Sequence, residues 1–155
     1  MKKSLMTAGL IALAPAFATA AGAPAAAFYA LLSTWSTTPG EYAAVTGGAT
    51  FILDGEGLSY TVQLPGLKRV AGIILLDGTA SIPLYSGPGS ETESFGTCGS
   101  ITARNLDGLT VDQLVRDMEQ GKVDLVVLTS KATDGSLRAR VQRLPAMPDL
   151  NHLRV

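Results

Sequence analysis

Few side chains in this chain can carry a proton, an electron pair or a metal. There is one histidine, His152, within the last four residues, and one cysteine, Cys98. A Ser-His-Asp or Cys-His relay needs an imidazole held against its nucleophile inside the fold, which a tail position does not provide. Zinc and copper sites draw on several His or Cys ligands, so one of each predicts no metal and no cofactor. Cys98 has no basic neighbour in sequence to stabilise a thiolate, and reads as a small buried hydrophobe. With no second cysteine, no intramolecular disulfide can form, and a disulfide-linked dimer is the alternative.

Carboxylates remain for acid–base work. Asp54 and Glu56 stand in a turn, Asp77 and Asp107 precede glycines, and Glu91 and Glu93 follow Gly87-Pro88-Gly89-Ser90. Each reads first as turn chemistry or solvation, since Asp-Gly suits tight turns. A glycosidase pair is defined by its separation in space, which the sequence does not display. Asp54-Gly55-Glu56 lacks the further fixed ligands of a calcium loop. Ser130-Lys131 are adjacent, without the Ser-x-x-Lys spacing. Arg138 and Arg140 share one face of a strand with Arg143 nearby. Such a stripe can grip an acidic glycan or phosphate, or it is the wet face of a sheet whose charges discourage aggregation. The catalytic set is therefore empty, and Trp35, Arg138 and Arg140 are the tentative ligand-binding residues.

The elements that would position these residues are mostly strands. The first twenty residues read as a secretory signal peptide, with the basic pair Lys2-Lys3, an apolar run through Leu13, and Ala18-Thr19-Ala20 ahead of a cleavage after Ala20. Pro15 interrupts the apolar run, so no membrane span is expected once the leader is removed. Residues 21–27 read as a flexible Ala/Gly/Pro lead-in, residues 28–144 as one domain, and residues 145–155 as a loose tail. The 135 residues after Ala20 suit a single core. They carry ten basic against thirteen acidic residues, a net charge of −3 that argues against nucleic acid.

Period-two alternation marks a hairpin, Ala49, Phe51 and Leu53 turning at Asp54–Gly57 into Leu58, Tyr60, Val62 and Leu64. Phe28 to Trp35 supplies another strand, Val70 to Leu76 a buried one, and Ile82 to Tyr85 an edge strand, because Pro83 cannot donate to a ladder. Ser86 to Gly99 reads as a long exposed loop. Thr110 with Gln113 fits a capping box, Leu109 and Leu114 a hydrophobic staple, and Gly121 a helix stop, giving one short helix over about 110–121. Val123 to Thr129 and Leu137 to Leu144 return to strand. The expected fold is mainly β, an antiparallel β-sandwich or barrel of about 7–9 strands with that one helix.

The order of elements resembles the CHRD (chordin-type) domain. The likeness rests on the hairpin from Gly47-Gly48-Ala49-Thr50-Phe51 to Tyr60-Thr61-Val62, on Leu64-Pro65-Gly66-Leu67, on a helix led by Leu109-Thr110, and on Asp134-Gly135-Ser136-Leu137-Arg138 near the close. It spans about Phe28 to Leu144. The resemblance implies an exported β-rich module that is not an enzyme. It also exposes departures: Ile73, Ile74 and Leu75 stand where the family commonly has His-Ile-His, and Leu128-Thr129 where it has His-Thr. With three imidazoles replaced by aliphatic residues, any such site is expected to have become core, and no transition metal is expected.

These readings converge on a secreted, periplasmic or cell-envelope CHRD-like domain that binds a protein or glycan partner without catalysis. The alternative is a carbohydrate-active enzyme or glycan-binding domain using Asp/Glu and Trp35. A dimer through Cys98 or a sheet edge is a further possibility.

Overall fold

The computed structural model of the chain describes residues 26–34, 44–55, 57–88, 94–130 and 132–145. The expected leader and its cleavage after Ala20 lie outside the described residues, as do Trp35, Glu56, Glu91, Glu93, Lys131 and His152. Among the described residues no helix is long and apolar enough to cross a membrane.

The strands are β1 (Ala26–Thr34), β2 (Ala44–Asp54), β3 (Gly57–Pro65), β4 (Val70–Asp77), β5 (Ala80–Ser86), β6 (Ser94–Ile101), β7 (Val123–Thr129), β8 (Ala132–Arg140) and the two-residue β9 (Gln142–Arg143), with one helix, α1 (Val111–Glu119). They form two antiparallel sheets, β6-β3-β2-β1-β9 and β5-β4-β7-β8, packed as a sandwich. The two sheets meet at Val141, where the last strand leaves β8 and continues as β9; its N–H donates to the Val123 carbonyl at 2.9 Å.

Period two decides which side chains meet. Phe28, Ala30 and Leu32 of β1, Ala49 and Phe51 of β2, and Leu58, Val62 and Leu64 of β3 face Ile73, Leu75, Leu125, Val127 and Leu137 across a single core. Two contacts close the gap between the sheets. The Tyr60 hydroxyl of β3 donates to the Leu84 carbonyl of β5 at 2.8 Å, and the Tyr85 and Phe95 rings meet edge-on with centroids 4.7 Å apart. Burial pushes the Tyr60 phenol up, with Cys98 a smaller contribution.

Helix α1 starts and stops where its sequence implies, although only the Thr110 half of the capping box forms, the Gln113 side chain turning instead to Asp117 and Arg116. The Thr110 hydroxyl accepts from the Gln113 N–H at 3.1 Å, and Asp112 lies in the first turn, where the helix dipole favours a negative charge. At the other end Gly121 takes φ +67°, Gly121 N–H donates to Met118 O, and Lys122 N–H donates to Asp117 O at 2.9 Å. That is a Schellman close, in which a glycine avoids the Cβ penalty of left-handed backbone. Leu114, Val115 and Met118 join the core.

Three expectations need correction. The segment from Ser86 to Gly99 is not all loop: Ser94 onward is the edge strand β6, paired along β3 from Pro65↔Ser94 to Leu58↔Ile101. Its inward positions include Thr97 and Gly99, which dilute the apolar alternation below recognition. Strand β1 starts at Ala26, within the expected lead-in, because pairing with Leu53 of β2 carries the ladder that far and buries Ala26 in the core. Cys98 is exposed rather than buried, since it lies on the outward face of β6 opposite Thr61.

Candidate functional site

Ile73, Leu75 and Leu128, the three positions expected from sequence to stand in place of histidines, do not form one cluster. Ile73 and Leu75 are fully buried between the sheets, whereas Leu128 pairs with Gly72 on the far side of the same sheet and is absent from the core cluster. Strand pleating separates neighbours in sequence onto opposite faces, so these three positions cannot converge on one ion. Among the described residues no group of three or more His, Cys, Asp or Glu could hold a metal.

Arg138 and Arg140 do share a face, as their spacing implies, and both are engaged by a residue that the sequence reading passes over. Asp124 of β7, directly across from Arg140 in register, is only 5% exposed. Arg138 donates from Nε to Asp124 Oδ2 at 2.9 Å and from Nη2 to the same oxygen, while Arg140 donates from Nε to Oδ1 at 2.8 Å. Burial pushes the Asp124 carboxyl up, but the hydrogen bonds and charges of Arg140 and Arg138 outweigh it and hold the group below the usual carboxylate range. Arg140 is correspondingly held more firmly protonated, chiefly by its hydrogen bond to Asp124. The signal in the sequence is the strand Val123-Asp124-Leu125, an acid inside an otherwise apolar run that needs a cationic partner. Arg143 is engaged elsewhere, with Nη1 3.0 Å from Glu119 Oε1 on α1.

The second charged constellation joins Asp77, at the end of β4, to Asp117 on α1. Asp77 reads from sequence as a turn residue, but its carboxyl group comes close enough to that of Asp117 for each to shift the other. Burial pushes the Asp77 carboxyl up, helped by the Asp117 charge and opposed by Lys122. Asp117 is held below its ordinary value by the hydrogen bond from Gln113 Nε2 at 2.8 Å, against burial, with Lys122 Nζ 3.5 Å from Oδ1 assisting. Asp77 Oδ2 is buried and has no partner among the described residues. Like charges that cannot both ionise in one place split into an acid and a base. Asp117 could be anticipated only from its place at the border of the apolar helix face, four residues after Gln113.

The third feature is an open depression of about 400 Å³ on the solvent side of the β6-β3-β2-β1-β9 sheet. Its walls include Tyr29, Leu31, Thr50, Thr61 and Gln63, and its floor is Gly47-Gly48. The glycines make the hollow: a Cβ at Gly48 would lie 2.8 Å from the Ala30 carbonyl oxygen, and Gly47 has φ +150° with no room for a side chain. The Tyr29 hydroxyl donates to Gln142 Oε1 at 3.0 Å, which fixes the ring at the rim. Leu31 is 60% exposed, and Ile52 is also exposed on this face. None of the described residues lining the hollow is charged. A second depression lies at Gly57, Thr102, Ala103 and Arg104, and neither hollow is lined by Asp77 or Asp117.

Comparison with protein-family models, with curated proteins and with solved structures finds no match to this chain.

Proposed function

We propose that this chain is an exported, CHRD-like binding module that acts without catalysis, and that it recognises an uncharged carbohydrate on the solvent face of the β6-β3-β2-β1-β9 sheet. The observation that carries this reading is the uncharged hollow over Gly47-Gly48. A sugar presents a C–H face and a rim of hydroxyls. The exposed Leu31 and the tethered Tyr29 ring suit the first, and Thr50, Thr61 and Gln63 suit the second. The Asp77/Asp117 pair joins the end of β4 to α1 and neither residue lines this hollow, which favours binding over the carbohydrate-active enzyme alternative. The leader-like residues 1–20 support a secreted, periplasmic or cell-envelope location.

The test is titration of the protein with neutral oligosaccharides, followed by calorimetry and amide chemical shifts. Saturable binding with shifts centred on Tyr29, Gly48 and Gln63, weakened at least tenfold by Tyr29→Ala with the melting temperature preserved, is expected. Shifts confined to another face, or turnover of the sugar, would refute the reading.

A further inference from the structure

The opposite side of the molecule, the outer face of β5-β4-β7-β8, has a different character. Its central strands place Ile74 and Leu76 from β4 and Val126 and Leu128 from β7 on that face, all outside the core cluster; Val126 is buried among them and the other three are half-buried. Beside this apolar strip stand Arg138, across from Val126, and Arg140, across from Asp124. Asp124 uses both oxygens on the two guanidiniums. Among the described residues, two positive charges therefore share one negative charge on this face, which leaves one unit of positive charge.

The remaining hydrogen-bonding capacity points the same way. Each guanidinium has five N–H donors; Arg138 spends two on Asp124 and Arg140 one, which leaves three and four. Both side chains are open to solvent, 62% and 58% exposed, while the carboxylate that orients them is 7% exposed. A buried anchor thus holds two exposed forks in fixed directions, so less side-chain freedom is lost when a second anion arrives. The chain as a whole is slightly acidic, with a net charge of −1, so an anion gains nothing from the general field and must be drawn by this site.

We propose that Arg138 and Arg140 form a binding site for an organic oxyanion with an apolar body, a carboxylate or phosphate monoester whose charged end sits on the guanidinium forks and whose hydrocarbon lies along Ile74, Leu76 and Leu128. The oxyanion supplies the planar or trigonal oxygens that the forks match, and the apolar body covers the aliphatic surface that these three side chains leave to water.

The probes are octyl phosphate and octanoate, with inorganic phosphate and acetate as their headgroup-only counterparts, titrated below micelle-forming concentrations and followed by amide chemical shifts and calorimetry. The expected result is saturable binding of the octyl compounds at least tenfold tighter than the bare anions, with shifts at Val126, Leu128, Arg138 and Arg140. Arg138→Lys with Arg140→Lys keeps a positive partner for Asp124 while removing the forks, and is expected to weaken octyl phosphate binding at least fivefold at an unchanged melting temperature. Arg143→Gln, whose guanidinium is held by Glu119, is expected to bind as the parent does. Failure of the octyl compounds to saturate, equal affinity of the bare anions, shifts on the Tyr29 face instead, or full affinity in the double lysine variant would each overturn the proposal.

Discussion

Replacing Asp77 by asparagine tests whether the Asp77 and Asp117 carboxyl groups, at the end of β4 and on α1, shift each other's titration. In the folded protein Asp77 titrates above its ordinary value of 3.8, so its protonated form stabilises the fold at acid pH, and that stability is lost as pH rises through the raised value. Asp117 behaves in the opposite sense: its depressed value contributes stability above 3.8 that disappears as pH falls. The pair is therefore best matched between the lowered Asp117 value and the raised Asp77 value, with Asp77 protonated and Asp117 ionised. The substituted amide would resemble the protonated acid at every pH, donating from its side-chain nitrogen to Asp117. A hydrogen bond to a charged acceptor contributes about 1.5–3 kcal/mol, and the partial exposure of Asp77 reduces this to about 1 kcal/mol at pH 7. For a domain of this size that is about 3–5 °C in melting temperature. Thermal melts by circular dichroism at intervals from pH 4 to 8 should show Asp77→Asn close to the parent at pH 4 and above it at pH 7–8. Parallel profiles, separated by a constant offset or none, would refute the coupling of the two carboxyl groups.

Two further perturbations probe how the sandwich is closed. Tyr60→Phe removes the hydroxyl that bridges the sheets at Leu84 and leaves that carbonyl without its donor, for an expected loss of about 1 kcal/mol in urea unfolding at an unchanged m-value. Gly121→Ala forces a side chain into left-handed backbone at the end of α1, with an expected cost of about 1 kcal/mol and earlier loss of helical amide protection in hydrogen exchange.

Much of this architecture is written locally. The β2-β3 hairpin is legible because inward Ala49, Phe51, Leu58 and Val62 alternate with outward positions around a glycine turn. Pro83 marks β5 as an edge strand through its missing N–H, and β5 does lie at a sheet edge. Helix α1 announces itself through Thr110, Gln113 and Gly121, whose roles depend only on neighbours a few residues away. Strand β6 is hidden because Gly, Ser and Thr dominate it, and its pairing with β3 supplies order that its own composition does not.

Local pattern thus suffices for the β class, the hairpin, the helix and the shared face of Arg138 and Arg140. Their meeting with Asp124, the union of Asp77 with Asp117, and the assembly of Tyr29, Gly48 and Gln63 into one hollow depend on strand order and register. Those are long-range properties, set when two sheets bury a common core. The chemistry of isolated residues cannot encode them, because a carboxylate's charge state and partners are determined by what the fold brings within a few ångströms of it.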